Sequence, residues 1–288
     1  MIKIVCIVGP TASGKSARAV AVAKERDGEV ISVDSRQVYR MLDIGSEKMS
    51  AEEMVGIPHY LIDIRDPKDV YTAHDFVQDA TRLIDEISSR GKLPILVGGT
   101  HFYFDALLNG LPTDTAPNPK LREELETKTT EELYTQIQTR DPRRAAELDP
   151  KNRRRLIRAL EIIEAHGSVP ERTVAQKYDV EWMPIFLDRD ELRTRIAERE
   201  ALKFPRGLIE EVRKVREYVG DERLNELGLE YRVVGEYLRG ERDEASILPA
   251  LKSQLFQYAR RQEAWLRKLR MSNAPSETSG PDHSQANS

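Results

Sequence analysis

Apolar and amphipathic stretches alternate along the first hundred residues of the chain. Four short apolar runs are predicted to form buried strands: Ile2–Val8, Glu29–Val33, Ile57–Ile62 and Leu93–Val97. Two stretches have the period of an amphipathic helix, Lys15–Arg26 and Thr72–Arg90. Because strands alternate with helices and have no polar face, the pattern favours an α/β fold in which a parallel sheet is covered on both sides.

The pattern changes after Gly110, where a proline-rich connector leads into a polar region. Residues 120–167 are predicted to be helical and broken only at Asp141-Pro142 and Asp149-Pro150. One more strand is predicted at Trp182–Leu187, and four helices follow it: Glu191–Leu202, Leu208–Tyr218, Tyr231–Leu238 and Ser246–Leu269. We therefore predict an α/β core with C-terminal helices (1–113 and 180–270), an all-helical insert (114–179) and a disordered tail (271–288).

Composition and charge narrow the classes of function. The 45 basic and 49 acidic residues leave a net charge of -4, so any nucleic acid must bind to a local basic patch. Residues 153–158 hold four arginines and are the candidate patch, although such a run is also typical of a solvated helix face. The single cysteine and the scattered histidines exclude a disulfide framework and predict no structural metal site. No apolar run is long enough for a membrane span, so we expect a cytoplasmic protein.

A phosphate-binding motif follows the first predicted strand. It has the form G-x-x-x-x-G-K-[ST] and consists of Gly9, Pro10, Thr11, Ala12, Ser13, Gly14, Lys15 and Ser16. Between a strand and a helix, such a loop turns its backbone N–H groups toward a phosphate. Lys15 is then expected to reach the outer phosphate and the Ser16 hydroxyl to hold Mg²⁺. The motif makes the predicted sheet a doubly wound one of the P-loop NTPase-like type.

The position of the candidate carboxylate is unusual for this class. Most P-loop enzymes have a metal-binding Asp at the end of a second apolar strand, but Leu93–Val97 is followed by Gly98-Gly99-Thr100. The carboxylate instead follows the second predicted strand, at Asp34. That end of a parallel sheet is where ligands bind, although an Asp there also suits a turn or a helix cap.

Several segments together resemble the tRNA dimethylallyltransferases. They are GPTASGKS, VDSRQVYR, LDIGSEK, ILVGGTHFY, RRLIRALE and ARRQEAWLR, in the order and spacing of that family over about residues 3–267. The resemblance implies transfer of the dimethylallyl group of dimethylallyl diphosphate to N6 of adenosine 37, beside the tRNA anticodon, with release of diphosphate. It also implies Mg²⁺ as the cofactor and the tRNA anticodon stem-loop as the partner. We expect the protein to be a monomer.

The resemblance assigns roles to individual positions. Asp34 aligns with the general base, Thr100 with a residue of the reaction channel and Arg199 with a contact to the diphosphate held by the P-loop. An arginine on a solvated helix face is the alternative for Arg199. Residues that align with tRNA contacts are Asp34, Ser35, Arg36, Gln37, Thr100, Arg122, Arg154, Arg155, Leu156, Ile157, Arg158, Gly228, Tyr231 and Arg232.

Three positions depart from the family pattern, and three other functions remain open. His101 stands where G-T-G-[LM]-Y has glycine, Arg154 where glutamine is usual, and Glu230 where a glycine precedes the Tyr-Arg pair. A P-loop small-molecule or nucleoside kinase would also account for the phosphate loop and for an arginine-rich lid. An adenine-nucleotide isopentenyltransferase would not need the helical insert, and a non-catalytic tRNA- or nucleotide-binding protein would not need Asp34, Lys15 and Ser16.

Overall fold

A computed structural model describes residues 1–113, 115–116, 118–172 and 176–272. Over these residues the chain forms two compact units. The first comprises residues 1–2, 71–85 and 102–179, and the second comprises residues 3–70, 86–101 and 180 onward. The predicted helical insert falls in the first unit, which also includes residues 71–85 and 102–113. From residue 273 on, the predicted disordered tail lies outside the described residues.

The sheet is parallel and has five strands, which confirms the predicted α/β class. The strands are β1 (Ile2–Val8), β2 (Gly28–Val33), β3 (His59–Tyr60), β4 (Leu93–Gly98) and β5 (Tyr178–Pro184), in the order β3-β2-β4-β1-β5. Gly98 at the end of β4 is in register with Val8 of β1 and with Val33 of β2. The segments that follow these three neighbouring strands therefore leave the same edge of the sheet side by side.

Burial of the central strands explains why their sequences are continuously apolar. All residues from Ile4 to Val8 are fully buried, and alternate residues of a strand face opposite sides. Both faces of β1 are therefore covered, as the pattern predicted. On one face, Ala19, Val22 and Ala23 of helix α1 (Lys15–Arg26) pack with apolar side chains of β1, β2 and β4. The phosphate loop connects β1 to α1, and both of these elements belong to this core.

Two strands differ from the prediction. Only His59–Tyr60 of the predicted run Ile57–Ile62 is a strand, because Leu61 and Asp63 take left-handed backbone conformations. The last strand lies at the edge of the sheet and ends at Pro184, so the predicted segment Trp182–Leu187 is displaced toward the C-terminus. An edge strand has a partly exposed face, and its strongest apolar run need not coincide with its hydrogen-bonded part.

The remaining helices largely follow the predicted order. They are α2 (Ala51–Met54), α3 (Ala73–Ser89), α4 (His101–Asn109), α5 (Pro119–Glu126), α6 (Thr130–Arg140), α7 (Pro142–Glu147), α8 (Arg153–His166), α9 (Arg189–Lys203), α10 (Leu208–Val219), α11 (Asp221–Glu226), α12 (Leu229–Leu238) and α13 (Glu244–Ser272). The prediction that the insert breaks only at its two Asp-Pro pairs is wrong. Thr129 caps α6 through a capping box with Glu132 and separates it from α5. No helix in the described part of the chain is long and apolar enough to cross a membrane.

Candidate active site

The phosphate loop has an open backbone cradle. Ala12 and Gly14 have positive φ angles of 63° and 82°, which turn the loop into the N-terminus of α1. Within the described chain, the backbone N–H groups of Gly14, Lys15 and Ser16 have no acceptor. Unpaired N–H groups at a helix N-terminus attract an anion, so this loop is suited to a phosphate group.

The side-chain amine of Lys15 changes between its charged and neutral forms close to pH 7. Its Nζ lies 2.6 Å from the Pro10 carbonyl oxygen and donates to it. Burial, and next the nearby Arg199 guanidinium, lower the pKa of Lys15 to about 7, while Asp34 acts in the opposite direction. A bound polyanion would supply the missing negative charge and favour the protonated amine.

Asp34 lies at the end of β2, beside the segment that follows β4. Its Oδ1 accepts hydrogen bonds from the backbone N–H groups of Arg36 (2.7 Å) and Gln37 (3.3 Å). The turn interpretation is therefore correct for this oxygen, whereas Oδ2 has no donor among the described residues. Thr100 joins the two segments, because its Oγ1 accepts from Ser35 N (3.1 Å) and its N–H donates to the Val33 carbonyl (3.2 Å).

Arg199 reaches the phosphate loop from α9. Its Nη2 donates to Thr11 Oγ1 (2.8 Å), and its Nε and Nη2 lie 3.2 and 3.1 Å from Glu200 Oε1. Glu200 is fully buried and also pairs with the fully buried Lys203 (3.0 Å). Arg199 is therefore held in a network directed at the phosphate loop and does not lie on a freely solvated face.

Glu230 completes this buried network. Its Oε1 lies 2.8 Å from Nζ of Lys203, which also donates to the Gly45 carbonyl oxygen (3.2 Å). The positive charges of Arg199 and Lys203 are therefore balanced by the carboxylates of Glu200 and Glu230. A glycine at position 230, as in the family pattern, would leave Lys203 with one carboxylate fewer.

Two cavities meet at Asp34. The larger, about 630 Å³, contains the phosphate loop, and the smaller, about 260 Å³, is bounded by Ser35, Thr100 and Gly228 among others. Six residues line both cavities: Thr11, Asp34, Ser46, Glu47, Arg199 and Tyr258. Burial, followed by the Asp34 charge, raises the pKa of Tyr258 to about 12, so its hydroxyl stays protonated. Two reactants, one in each cavity, would thus meet beside a carboxylate.

In the first unit, the positions predicted to contact tRNA differ in exposure. Leu156 and Ile157 are buried in the core of that unit, so we exclude their side chains from an RNA-binding surface. Arg158 donates to the Thr115 carbonyl oxygen and pairs with buried Glu161 (3.4 Å). A second ion pair to the same carboxylate is made by Arg122 (2.8 Å). Arg154 and Arg155 are exposed.

Tyr231 is also placed in the interior. It is 1% exposed, and its hydroxyl donates to Oε1 of Glu211 (2.7 Å). Glu211 accepts three backbone N–H groups as well, from Asp43 to Gly45, and thereby fixes a segment that lines the smaller cavity. The resemblance predicted tRNA contacts for Tyr231, Gly228 and Arg232. Of these, Gly228 lines the smaller cavity, whereas exposed Arg232 bonds Gln254 Oε1 (2.7 Å).

Replacing Tyr231 by phenylalanine separates a packing role from an RNA contact. We expect Tyr231→Phe to lower the free energy of unfolding by about 1 to 2 kcal/mol, because Glu211 loses one buried donor. The affinity for tRNA should stay within about twofold of the parent value. Chemical denaturation and filter binding of tRNA measure the two effects. A large loss of tRNA affinity with unchanged stability would restore Tyr231 as an RNA contact.

Several residues that shape the site have no role predicted from the sequence. Gln262 and Tyr258 of α13, Glu211 of α10 and the buried pair Glu200–Lys203 of α9 all contact predicted site residues or the segments that carry them. Their periodicity is that of ordinary amphipathic helices, where polar positions are usually exposed. One signal in the sequence was the position of Gln262 within the segment ARRQEAWLR, which resembles the family.

A phosphate loop and a carboxylate at the junction of two cavities define a phosphate-binding α/β enzyme. Comparison with known proteins gives the family: the model described as "IPP transferase" matches residues 37–269. The chain belongs to this family and is a transferase. The matched range begins after the phosphate loop, so the loop geometry is independent support.

Similar proteins cover most of the chain. A tRNA dimethylallyltransferase of Thermomicrobium roseum is 42% identical over 276 residues, covering 93% of this chain and 84% of the relative. A crystal structure of a tRNA isopentenylpyrophosphate transferase from Bacillus halodurans has a TM-score of 0.70 at 39% identity, with 93% and 87% coverage. A eukaryotic dimethylallyltransferase described as acting on tRNA has a TM-score of 0.80 at 29% identity, with 92% and 70% coverage.

Proposed function

We propose that this chain is a tRNA dimethylallyltransferase that transfers the dimethylallyl group of dimethylallyl diphosphate to N6 of adenosine 37, with release of diphosphate. The observation that carries this proposal is the position of Asp34 on the shared boundary of the two cavities. One cavity has the groups that bind a diphosphate, and the other has space and polar edges for a base. The names of the relatives agree with this assignment.

The phosphate loop would stabilise the leaving group. Its free N–H groups, the Lys15 amine and the Arg199 guanidinium surround the region where negative charge grows as the carbon–oxygen bond breaks. Such groups, already oriented before the reaction, stabilise the transition state more than the ground state. Thr11 belongs to the same group, since its hydroxyl is held by Arg199.

Asp34 would act as the general base. The lone pair of an adenine N6 amine is delocalised into the ring, so the amine is a weak nucleophile. As the nitrogen–carbon bond forms and diphosphate leaves, the amine loses a proton, and Oδ2 of Asp34 is the available acceptor. Oδ1 is held by the two backbone N–H groups, which keeps the carboxylate in one orientation.

The smaller cavity would receive the target adenine. A base stacked in an anticodon loop has to leave the stack before it can reach a carboxylate in a pocket, at a cost of a few kcal/mol. Ser35, Arg36 and Thr100 line this cavity with Asp34, and they are polar groups suited to a nucleotide. The transfer would therefore occur where the base and the allylic carbon meet, beside Asp34.

Mg²⁺ is compatible with the residues present. The described residues contain no group of three His, Cys, Asp or Glu side chains that could hold a metal alone. Mg²⁺ commonly binds through one or two protein oxygens together with substrate phosphates, and Ser16 of the phosphate loop lines the larger cavity. We propose that Ser16 holds the ion, which, when bound, would supply charge neutralisation for the diphosphate.

The helical first unit is proposed to contribute to tRNA binding through Arg154 and Arg155. Replacing both by alanine should weaken tRNA binding and reduce the slope of log K against log salt by up to about two units. Filter binding at several salt concentrations measures this slope, with Arg140→Ala as a control that removes an arginine paired with Glu164 (2.9 Å) in the same unit. Equal slopes for the double variant and the parent would assign Arg154 and Arg155 to the solvated face.

A transfer assay tests the proposed function directly. Radiolabelled dimethylallyl diphosphate is supplied with unmodified tRNA, with AMP or without an acceptor. We expect label in tRNA at an adenosine and none in AMP. Label in AMP would favour an adenine-nucleotide isopentenyltransferase, and ATP turnover against small alcohols without transfer would favour the kinase. The cytoplasmic location and the monomeric state stay predictions.

A further inference from the structure

The side chain of Gln262 connects the phosphate loop to the segment that follows β4. In the proposed function, the phosphate loop binds the diphosphate, and the segment after β4 carries Thr100, which lines the cavity for the base. Gln262 lies on α13 and is only 3% exposed. Its Oε1 accepts the backbone N–H of Thr11 in the phosphate loop (2.8 Å), and its Nε2 donates to the carbonyl oxygen of Gly99 (2.9 Å). Both ends of one side-chain amide are therefore used, one on the loop after β1 and the other on the segment after β4.

The same face of α13 contacts the Gly99–His101 segment at two further positions. The hydroxyl of Tyr258 donates to the Gly99 carbonyl oxygen (3.4 Å), and the ring of Trp265 stacks on His101 with 4.3 Å between ring centroids. Positions 258, 262 and 265 are separated by four and three residues, which places them on one side of a helix. The segment that carries Thr100 is thus held by α13 on both sides of that threonine.

A primary amide suits this position for a chemical reason. It offers a donor and an acceptor in a planar, neutral group, and these match one N–H and one carbonyl oxygen. A carboxylate would repel both the Gly99 carbonyl and a diphosphate in the neighbouring cavity. The fit is also tight: a Cβ atom at position 99 would lie 2.3 Å from Nε2 of Gln262, so the contact requires glycine there.

We infer that Gln262 is a positioning residue that couples the phosphate loop to the Thr100 segment and so sets the alignment of donor and acceptor. This inference rests on the proposed function. Without the amide, the backbone N–H of Thr11 loses its acceptor, and the Gly99 carbonyl oxygen loses the hydrogen bond from Nε2. The two cavities would remain, but the phosphate loop and the Thr100 segment would no longer be fixed relative to each other. Misalignment of the two reactants affects the chemical step most.

Two substitutions distinguish a hydrogen-bonded link from simple packing. Gln262→Met keeps most of the side-chain volume but makes neither bond. Gln262→Glu, when protonated, has the shape of glutamine, accepts from Thr11 N–H and donates its O–H to the Gly99 carbonyl. When ionised it loses that donor. A buried carboxyl facing a carbonyl oxygen should titrate above the ordinary value for Glu of about 4.3.

The measurement is the single-turnover rate between pH 5 and 8.5 for both variants, each divided by the rate of the parent enzyme. At pH 8.5 we expect both to be slower by about 10- to 100-fold, as for the loss of one or two hydrogen bonds. The ratio for Gln262→Glu should rise about tenfold toward pH 5, and that for Gln262→Met should stay flat. Division by the parent rate removes the pH dependence that the variants share with the parent. The charged and titratable groups around position 262 are present in all three proteins: Lys15, Asp34, His101, Arg199 and Tyr258.

Controls separate this inference from folding and from the proposed function. Glu263→Gln, which changes the next residue and lines neither cavity, should leave the rate unchanged. Melting temperatures report folding, and Gln262→Glu serves alone if the methionine variant does not fold. Binding of inorganic pyrophosphate, expected to weaken severalfold in Gln262→Met, does not depend on the identity of the acceptor. The inference would be overturned if the ratio of variant to parent rate did not change with pH for either variant, or if the rates of both variants equalled that of the parent. Either result would count against it even if the parent enzyme modifies tRNA.

Discussion

Replacing Asp34 by asparagine should slow the chemical step by about 10²- to 10⁴-fold and leave tRNA affinity nearly unchanged. The asparagine oxygen can still accept the N–H groups of Arg36 and Gln37 that orient the native carboxylate. The turn should therefore keep its shape. The amide that replaces Oδ2 cannot take the proton from the N6 amine, so the loss falls on the transition state.

Single-turnover kinetics with saturating tRNA measure this effect, and filter binding measures the affinity of the same variant for tRNA. Asp34→Ala is the companion variant, because it removes the turn hydrogen bonds as well as the base. We expect it to be no more active than Asp34→Asn. If tRNA affinity fell as much as the rate, Asp34 would be a binding residue, and the role of general base would be wrong.

The second large effect is expected at Lys15, as a pH-dependent affinity for the diphosphate. Because burial and the Arg199 charge lower the pKa of Lys15 to about 7, the free enzyme loses this positive charge as the pH rises above that value. A polyanion binds best to the protonated form. Its affinity should therefore decrease by up to about tenfold per pH unit above pH 7 through this group, and this contribution is fully present below it.

Calorimetric titration with inorganic pyrophosphate from pH 6 to 9 tests this expectation. Lys15→Met should bind about 10²-fold or more weakly at pH 6, and its disadvantage relative to the parent should shrink toward pH 9. Lys24→Met is the matched control, since it removes an exposed lysine from the same helix and should change neither affinity nor pH dependence. A constant ratio between Lys15→Met and the parent would show that Lys15 stays charged throughout this range.

Local sequence determined the elements that rely on neighbouring residues. The strand Ile2–Val8 and the helix Lys15–Arg26 have the predicted bounds, because a buried strand, a glycine-containing loop and a helix start are all encoded within a few residues. The same locality places Asp34 at the end of β2. The order of motifs along the chain then indicated the family, and the comparisons confirmed it.

Local sequence was less informative where burial depends on distant partners. Leu156, Ile157 and Arg158 lie in one short run, but two of them are in the core and the third is tied to Glu161. Helical periodicity identifies a face, but it does not show whether an arginine on that face meets solvent, RNA or a buried carboxylate. Tyr231 shows the same limit, because its partner Glu211 lies 20 residues earlier.

The tertiary structure alone decided how the two halves of the site are joined. Gln262 and Thr11 are separated by 251 positions, and a single polar residue in a long amphipathic helix has no feature that indicates such a partner. The balance of Arg199 and Lys203 by Glu200 and Glu230 likewise appears only when helices distant in the sequence pack together. The local sequence therefore determined the central strands, the phosphate loop and the position of Asp34. Tertiary packing determined which polar side chains of the site are buried, paired and oriented, because a hydrogen bond depends on distance in space and not on distance along the chain.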